Sequence, residues 1–225
     1  MTNSSNSQSQ PVVYEGQFGD FTIDAADRRE VMQYRAGLAI AALSFAIATT
    51  GILWRSDLDW VVPGVSLLYT VFWLSLGYSL FKIHIYLRPL HRLLQAFWLV
   101  GGVASLAIAH FSSEPFAMTV FQHPASLWGV GFTFAALTGI YFKEAFCFNR
   151  LETKVLTPLV PILLLGHLFG FLPLQWKAFL LALWAANFVI FALRKGVQPI
   201  PPDIGDKTVF TYLEQQRQQP TPSAS

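Results

Sequence analysis

Uncharged apolar runs of about twenty residues recur along this chain, separated by short segments that hold most of its charge. A helix needs about 20 mostly apolar residues to cross a hydrocarbon core of ~30 Å. Residues 36–54, 60–81, 93–111 and 125–142 each meet that length. The apolar stretch 155–193 is too long for one crossing, and Pro173 interrupts it. Taken as a tight turn, the break gives a fifth span over 155–172 and a sixth over 174–193. Lys177, near the start of the sixth, has a stem long enough to snorkel to the interface. Core helices of soluble proteins can also be apolar all round. Six such runs, however, leave no amphipathic element to cover them. The pattern therefore predicts an all-α protein, a polytopic transmembrane bundle of six helices.

The polar segments set an orientation. Arg28, Arg29 and Arg35 precede the first span, and Lys82, Arg88 and Arg92 lie between spans two and three. Lys143, Arg150 and Lys154 lie between spans four and five, and Arg194, Lys195, Lys207 and Arg217 follow the sixth. With six spans these thirteen cations share one side, and the other side has only Arg55 and Lys177. Positive residues favour the cytoplasmic face. The expected arrangement is N-in and C-in, with residues 1–35 as a cytoplasmic tail and juxtamembrane helix, 36–195 as the membrane domain and 196–225 as a second cytoplasmic tail. The even span count and the charge asymmetry support each other.

Composition changes this picture little. Of 225 residues, 53% are hydrophobic, 15% aromatic and 12% charged, about half the charged fraction of a soluble domain. That excludes a soluble enzyme of ordinary composition, a disordered chain and a nucleic-acid binder with a basic face. A single cysteine excludes an internal disulfide and a multi-thiolate zinc site. The first ten residues carry no charge, so neither a secretory signal nor a transit peptide is expected, and insertion is expected through the first span, as in a bacterium. Residues 12–23, VVYEGQFGDFTI, suit a short hairpin or an extended interfacial segment. Asp24 is placed to cap a following helix that leads into span one. QPIPPD, after span six, reads as a stiff non-helical linker, and 208–216 as one short helix. The two halves show no internal repeat of the transporter type.

Candidate chemistry concentrates in GIYFKEAFCFNRLETK, residues 139–154. No Gly or Pro interrupts 140–157, so span four is expected to project past the bilayer or bend along its surface. Lys143 and Glu144 meet the membrane boundary, where Glu144 could serve as a proton or cation ligand paired to Lys143 or Arg150. The alternative is an interfacial helix held by aromatics and snorkelling cations. If the pair is structural, Arg150 folds back onto Glu144. His167 lies inside span five beside Gly166 and Gly170, whose spacing suits close helix packing. Pro158 and Pro161 in the same span free backbone carbonyls and could open a substrate path. His84 and His91 flank Pro89, which forbids one continuous helical face. No catalytic constellation, metal-ligand set or cofactor motif is legible, so no catalytic residue, metal or cofactor is expected, and Cys147 reads as packing.

The runs GVGFTFAALTGIYFKEAFCFNRLETK, LTPLVPILLLGHLFG, FGDFTIDAADRREVMQYRAGL, IHIYLRPLHR and FALRKGVQPIPPDIGDK resemble a family of uncharacterised integral membrane proteins of cyanobacteria. The likeness extends over about residues 13–212. It implies a multi-pass protein of a cyanobacterial plasma or thylakoid membrane and brings no catalytic residue. Three functions are compatible with the residues. The first is a non-enzymatic scaffold or assembly factor, whose partners are the lipid bilayer and other membrane proteins rather than nucleic acid. The second is a small transporter using Glu144 and the proline-interrupted span. The third is a redox or haem protein resting on the histidines.

Overall fold

The computed structural model describes residues 12–85 and 87–218, without the side chain of Arg217. The expectations for the first ten residues and for the extreme C-terminus lie outside that range. The chain forms two compact units, one from residues up to Met32 together with those from Pro199 onward, the other from Gln33 to Gln198.

The larger unit is a bundle. Six helices of the described chain are long and apolar enough to cross a membrane. They are α1 (Ala25–Arg55), α2 (Val61–Lys82), α3 (Arg88–Phe111), α5 (Leu127–Phe148), α6 (Leu151–Leu168) and α7 (Leu174–Val197). A short helix α4 (Phe116–Gln122) and a 3₁₀ turn (Pro124–Ser126) join α3 to α5. The helix expected after Asp24 and the first span are one continuous α1. Asp24 and Asp27 cap its start reciprocally, each backbone N–H donating to the other's carboxylate at 2.9 Å.

Lipid supplies no hydrophobic drive between helices, so close packing must come from shape. Small residues provide it along the antiparallel α3–α5 seam. Side chains at Gly101, Gly129 and Gly139 would run into Thr133, Ala104 and Leu94. Between α2 and α3 the fit is reciprocal. Trp73 fills the space over Gly102, and Trp98 fills the space over Gly77. The two indoles stack at 4.4 Å, and each donates its N–H to the other's backbone carbonyl, at 3.0 and 2.8 Å. The core is completed by Phe72, Tyr141, Trp184, Phe188 and Phe191, all buried. Large apolar residues such as Leu43, Leu106, Phe146 and Leu193 face outward, as a lipid-facing surface requires.

Two helix ends are set by left-handed residues. α5 stops at Asn149, which adopts the left-handed conformation at φ 51°. The helix does run on past the expected span end at 142, to Phe148, and asparagine then reaches the left-handed region at low cost. α6 ends at Leu168, short of the expected 172, because Gly170 takes φ +72° and its N–H closes back on the His167 carbonyl at 3.2 Å, a Schellman-type stop. Both prolines of α6 lie inside a continuous helix, so the span is not broken.

The smaller unit joins the two ends of the chain. Strands β1 (Val13–Gly16) and β2 (Gly19–Thr22) form an antiparallel hairpin. The segment expected as a non-helical linker contains a single helical turn, α8 (Pro201–Ile204), since proline is well suited to the first helical position. The last helix, α9, covers Lys207–Gln218. Ile23, Val31 and Ile204 are buried together against Tyr14, Phe21 and Ile200. Asp206 accepts the Gln17 N–H at 2.6 Å, Thr208 accepts the Phe18 N–H at 3.1 Å, and Phe18 stacks on Tyr212 at 3.9 Å.

Candidate functional site

Helix direction decides what can meet Glu144. It lies near the C-terminal end of α5, so its neighbours are the start of α1 and the end of α7. All three ends fall together, as an even number of crossings requires. Glu144 is 2% exposed. One carboxylate oxygen accepts from Lys143 Nζ at 2.9 Å and from the Tyr34 hydroxyl at 3.2 Å. The other lies 2.7 Å from Lys195 Nζ. Lys195 is as deeply buried as the acid it meets, whereas Lys143 keeps a partly exposed stem.

Arg150, the expected partner, takes no part in this carboxylate. Its guanidinium lies 5.8 Å from the centre of the Phe148 ring. Lys143 and Lys195 approach the same ring at 5.5 and 4.2 Å. The turn at Asn149 explains the difference. Arg150 precedes the first turn of α6, beyond a left-handed residue, and is carried off the face of α5 that holds Glu144. Sequence reasoning missed Lys195 and Tyr34. The signal available for Lys195 was its place in the last turn of α7, at the same end of the bundle. Glu152, in the first turn of α6, is also buried and pairs with Arg194 at 2.8 Å. Its other oxygen has no hydrogen-bond partner among the described residues.

The remaining candidates are dispersed. His167 lies at the far end of α6, where Lys177 donates to its Nδ1 at 3.0 Å and its ring stacks on Phe121 at 5.7 Å. A side chain at Gly166 would meet Leu172 and Phe171, from the turn that follows α6, rather than another helix. Gly166 and Gly170 therefore end a helix and do not form the expected packing pair. His91 donates to the Leu80 carbonyl at 2.5 Å and so covers the end of α2. Among the described residues no three of His, Cys, Asp and Glu gather as a metal set.

Between its charged ends the bundle offers hydroxyls. Tyr69 lies 2.8 Å from Ser105 Oγ and donates to Thr133 Oγ1 at 3.1 Å. It lines a cavity of about 160 Å³ with Ser44 and Thr49, and another of about 320 Å³ with Ser66 and Ser105.

Comparison with protein families gives a match over residues 78–212, more than half of the chain and inclusive of every residue of the Glu144 cluster except Tyr34. The chain belongs to the DUF2301 family of uncharacterised integral membrane proteins. No curated protein and no solved structure matches it. Membership fixes an integral membrane protein, seated in a lipid bilayer, and assigns no activity.

Proposed function

We propose that this DUF2301 protein is a non-enzymatic scaffold or assembly factor that binds membrane-protein partners. One observation carries the reading: the charged groups of the bundle sit at its ends, and its buried carboxylates there are held by cations. Glu144 has Lys143, Lys195 and Tyr34 within 3.2 Å. A proton- or cation-coupled carrier needs a carboxylate that can exchange its partner, and a buried group gripped by two ammonium ions is poorly suited to that. The small unit built from both chain ends gives such a scaffold a second folded unit for a partner. We take both termini to be cytoplasmic and the host membrane to be cyanobacterial, plasma or thylakoid, on the charge asymmetry and the sequence resemblance.

The test is isolation of the tagged protein from its native membranes in mild detergent. A membrane protein recovered in stoichiometric amount, and lost from a variant of the terminal unit, is the expected result. Recovery of the chain alone, with solute flux in reconstituted liposomes, would replace the scaffold by a transporter. The largely apolar cavities beside Tyr69, edged by a few hydroxyls, favour a neutral solute in that second case, and Tyr69→Phe would then lower the flux. A haem protein would show a Soret band in the visible spectrum of the same preparation.

A further inference from the structure

The α5–α6 turn holds two cations that no acid among the described residues pairs with. Its two acids, Glu144 and Glu152, are taken by Lys143 with Lys195 and by Arg194. Arg150 and Lys154 form no ion pair among the described residues. They stand one helical turn apart, with the Lys154 N–H donating to the Arg150 carbonyl at 3.1 Å. Arg150 caps the helix that carries Lys154, and two cations so close together, with no ion pair among the described residues, favour an anion. The surroundings identify where that anion would come from. Phe146 and Leu151, on either side of the turn, are 83% and 74% exposed. Such side chains are at ease only in contact with lipid, so the two cations sit where hydrocarbon gives way to headgroups. Arg150 is further positioned by the Phe148 ring beneath it. A guanidinium takes a phosphate through two parallel hydrogen bonds, and Lys154 adds a second positive charge.

We propose that the α5–α6 turn is a binding site for an anionic phospholipid, whose headgroup phosphate is held by Arg150 and Lys154 while its acyl chains lie against the exposed face at Phe146 and Leu151. Zwitterionic lipid has the same phosphate but brings its own cation, and so gains less from the unpaired charges.

The full chain, purified in detergent, is titrated with phosphatidylglycerol, phosphatidylcholine or inorganic phosphate. Binding is read by native mass spectrometry and by the shift in tryptophan-reported melting. Phosphatidylglycerol should be retained and should raise the melting midpoint more than phosphatidylcholine does. Arg150→Gln/Lys154→Gln should weaken phosphatidylglycerol binding about twenty-fivefold, at roughly fivefold for each basic side chain near an anionic surface. Arg92→Gln removes another cation with no ion pair among the described residues, on α3, and should leave the binding as it was. Lys154→Gln alone, at an exposed position, keeps the test available if the double variant does not fold. Equal retention of the two lipids, full binding by the substituted proteins, or an equal loss in Arg92→Gln would overturn the site. An effect reproduced by inorganic phosphate would overturn its assignment to a lipid.

Discussion

At the residue scale the decisive feature is one carboxylate between two ammonium groups. Removing one partner of a buried ion pair leaves the other uncompensated, at a cost of about 3–5 kcal/mol. Glu144→Gln takes the carboxylate away from both Lys143 and Lys195, and Lys195→Gln leaves it with Lys143 and Tyr34. Glu144→Gln should therefore lower the melting midpoint in detergent by roughly 6–20 °C, taking about 2–4 °C per kcal/mol for a protein of this size. Lys195→Gln should lower it less, and Arg150→Gln by no more than a few degrees, since its ring contact is worth about 0.5–1 kcal/mol. An Arg150→Gln protein as damaged as Lys195→Gln would show that Arg150 does reach Glu144. The contrast also marks how far the site was legible. Lys143 and Glu144 stood out because two charges interrupt an apolar run. The partner was assigned to Arg150 because proximity along the chain is all that a charge pattern displays. Lys195 and Tyr34 reach the carboxylate only once α7 and α1 are laid beside α5, which depends on packing.

At the element scale, the spans were readable because twenty uncharged residues in a row have few other physical outcomes. Their ends were less so. The ends of α5 and α6 rest on single residues in the left-handed region, Asn149 and Gly170, and only the backbone reveals which residue takes that conformation. Gly170 offers a clean measurement, because nothing lies within 4 Å of a side chain added there. Gly170→Ala should cost about 1–2 kcal/mol through backbone strain alone, seen as a melting midpoint lower by a few degrees. A melting curve identical to the wild type would mean that the turn can re-form without φ > 0. The α2–α3 hairpin makes a stronger demand. Trp73 and Trp98 each cover a glycine of the opposite helix and each donate to the opposite backbone. Gly77→Val and Gly102→Val should both lower yield and stability, since overpacking costs about 1–3 kcal/mol. Trp73→Phe should lose about 1 kcal/mol through its hydrogen bond. Unequal effects of the two glycine variants on thermal stability would argue against a reciprocal lock.

At the scale of the whole molecule, both chain ends fold into one unit, and the crossings between them decide on which side of the membrane that unit lies. The hairpin was visible in the alternation of residues 12–23, but nothing in either tail disclosed that the two would join. Asp206 is part of the join. The Gln17 N–H and the Thr208 hydroxyl hold its carboxyl below the usual carboxylate range. A depressed folded pKa adds stability above the unfolded value, which is lost as pH falls through the folded one. The protection of the Gln17 and Phe18 amides from exchange, relative to the intrinsic rate at each pH, should therefore fall below about pH 4 in the wild type, and should already be lower at pH 7 in Asp206→Asn. The side of the membrane follows from charge. Along the sequence, thirteen of the fifteen Lys and Arg residues belong to the terminal segments, the α2–α3 connection and the α5–α6 turn, which six crossings are expected to put on one side. Translocating such segments is opposed, so they should remain in the cytoplasm. Ser56 and Ser113 lie in the two opposite connections and are exposed, as is Gln215 in the terminal unit. The native Cys147 is exposed too, so the reporter cysteines belong in a Cys147→Ser background. An impermeant maleimide added to intact cells should label Ser56→Cys and Ser113→Cys, and should reach Gln215→Cys only after permeabilisation. The reverse pattern would turn the protein over in the membrane. It would also leave Arg150 and Lys154 facing the outer leaflet, against the bias that places basic residues inside.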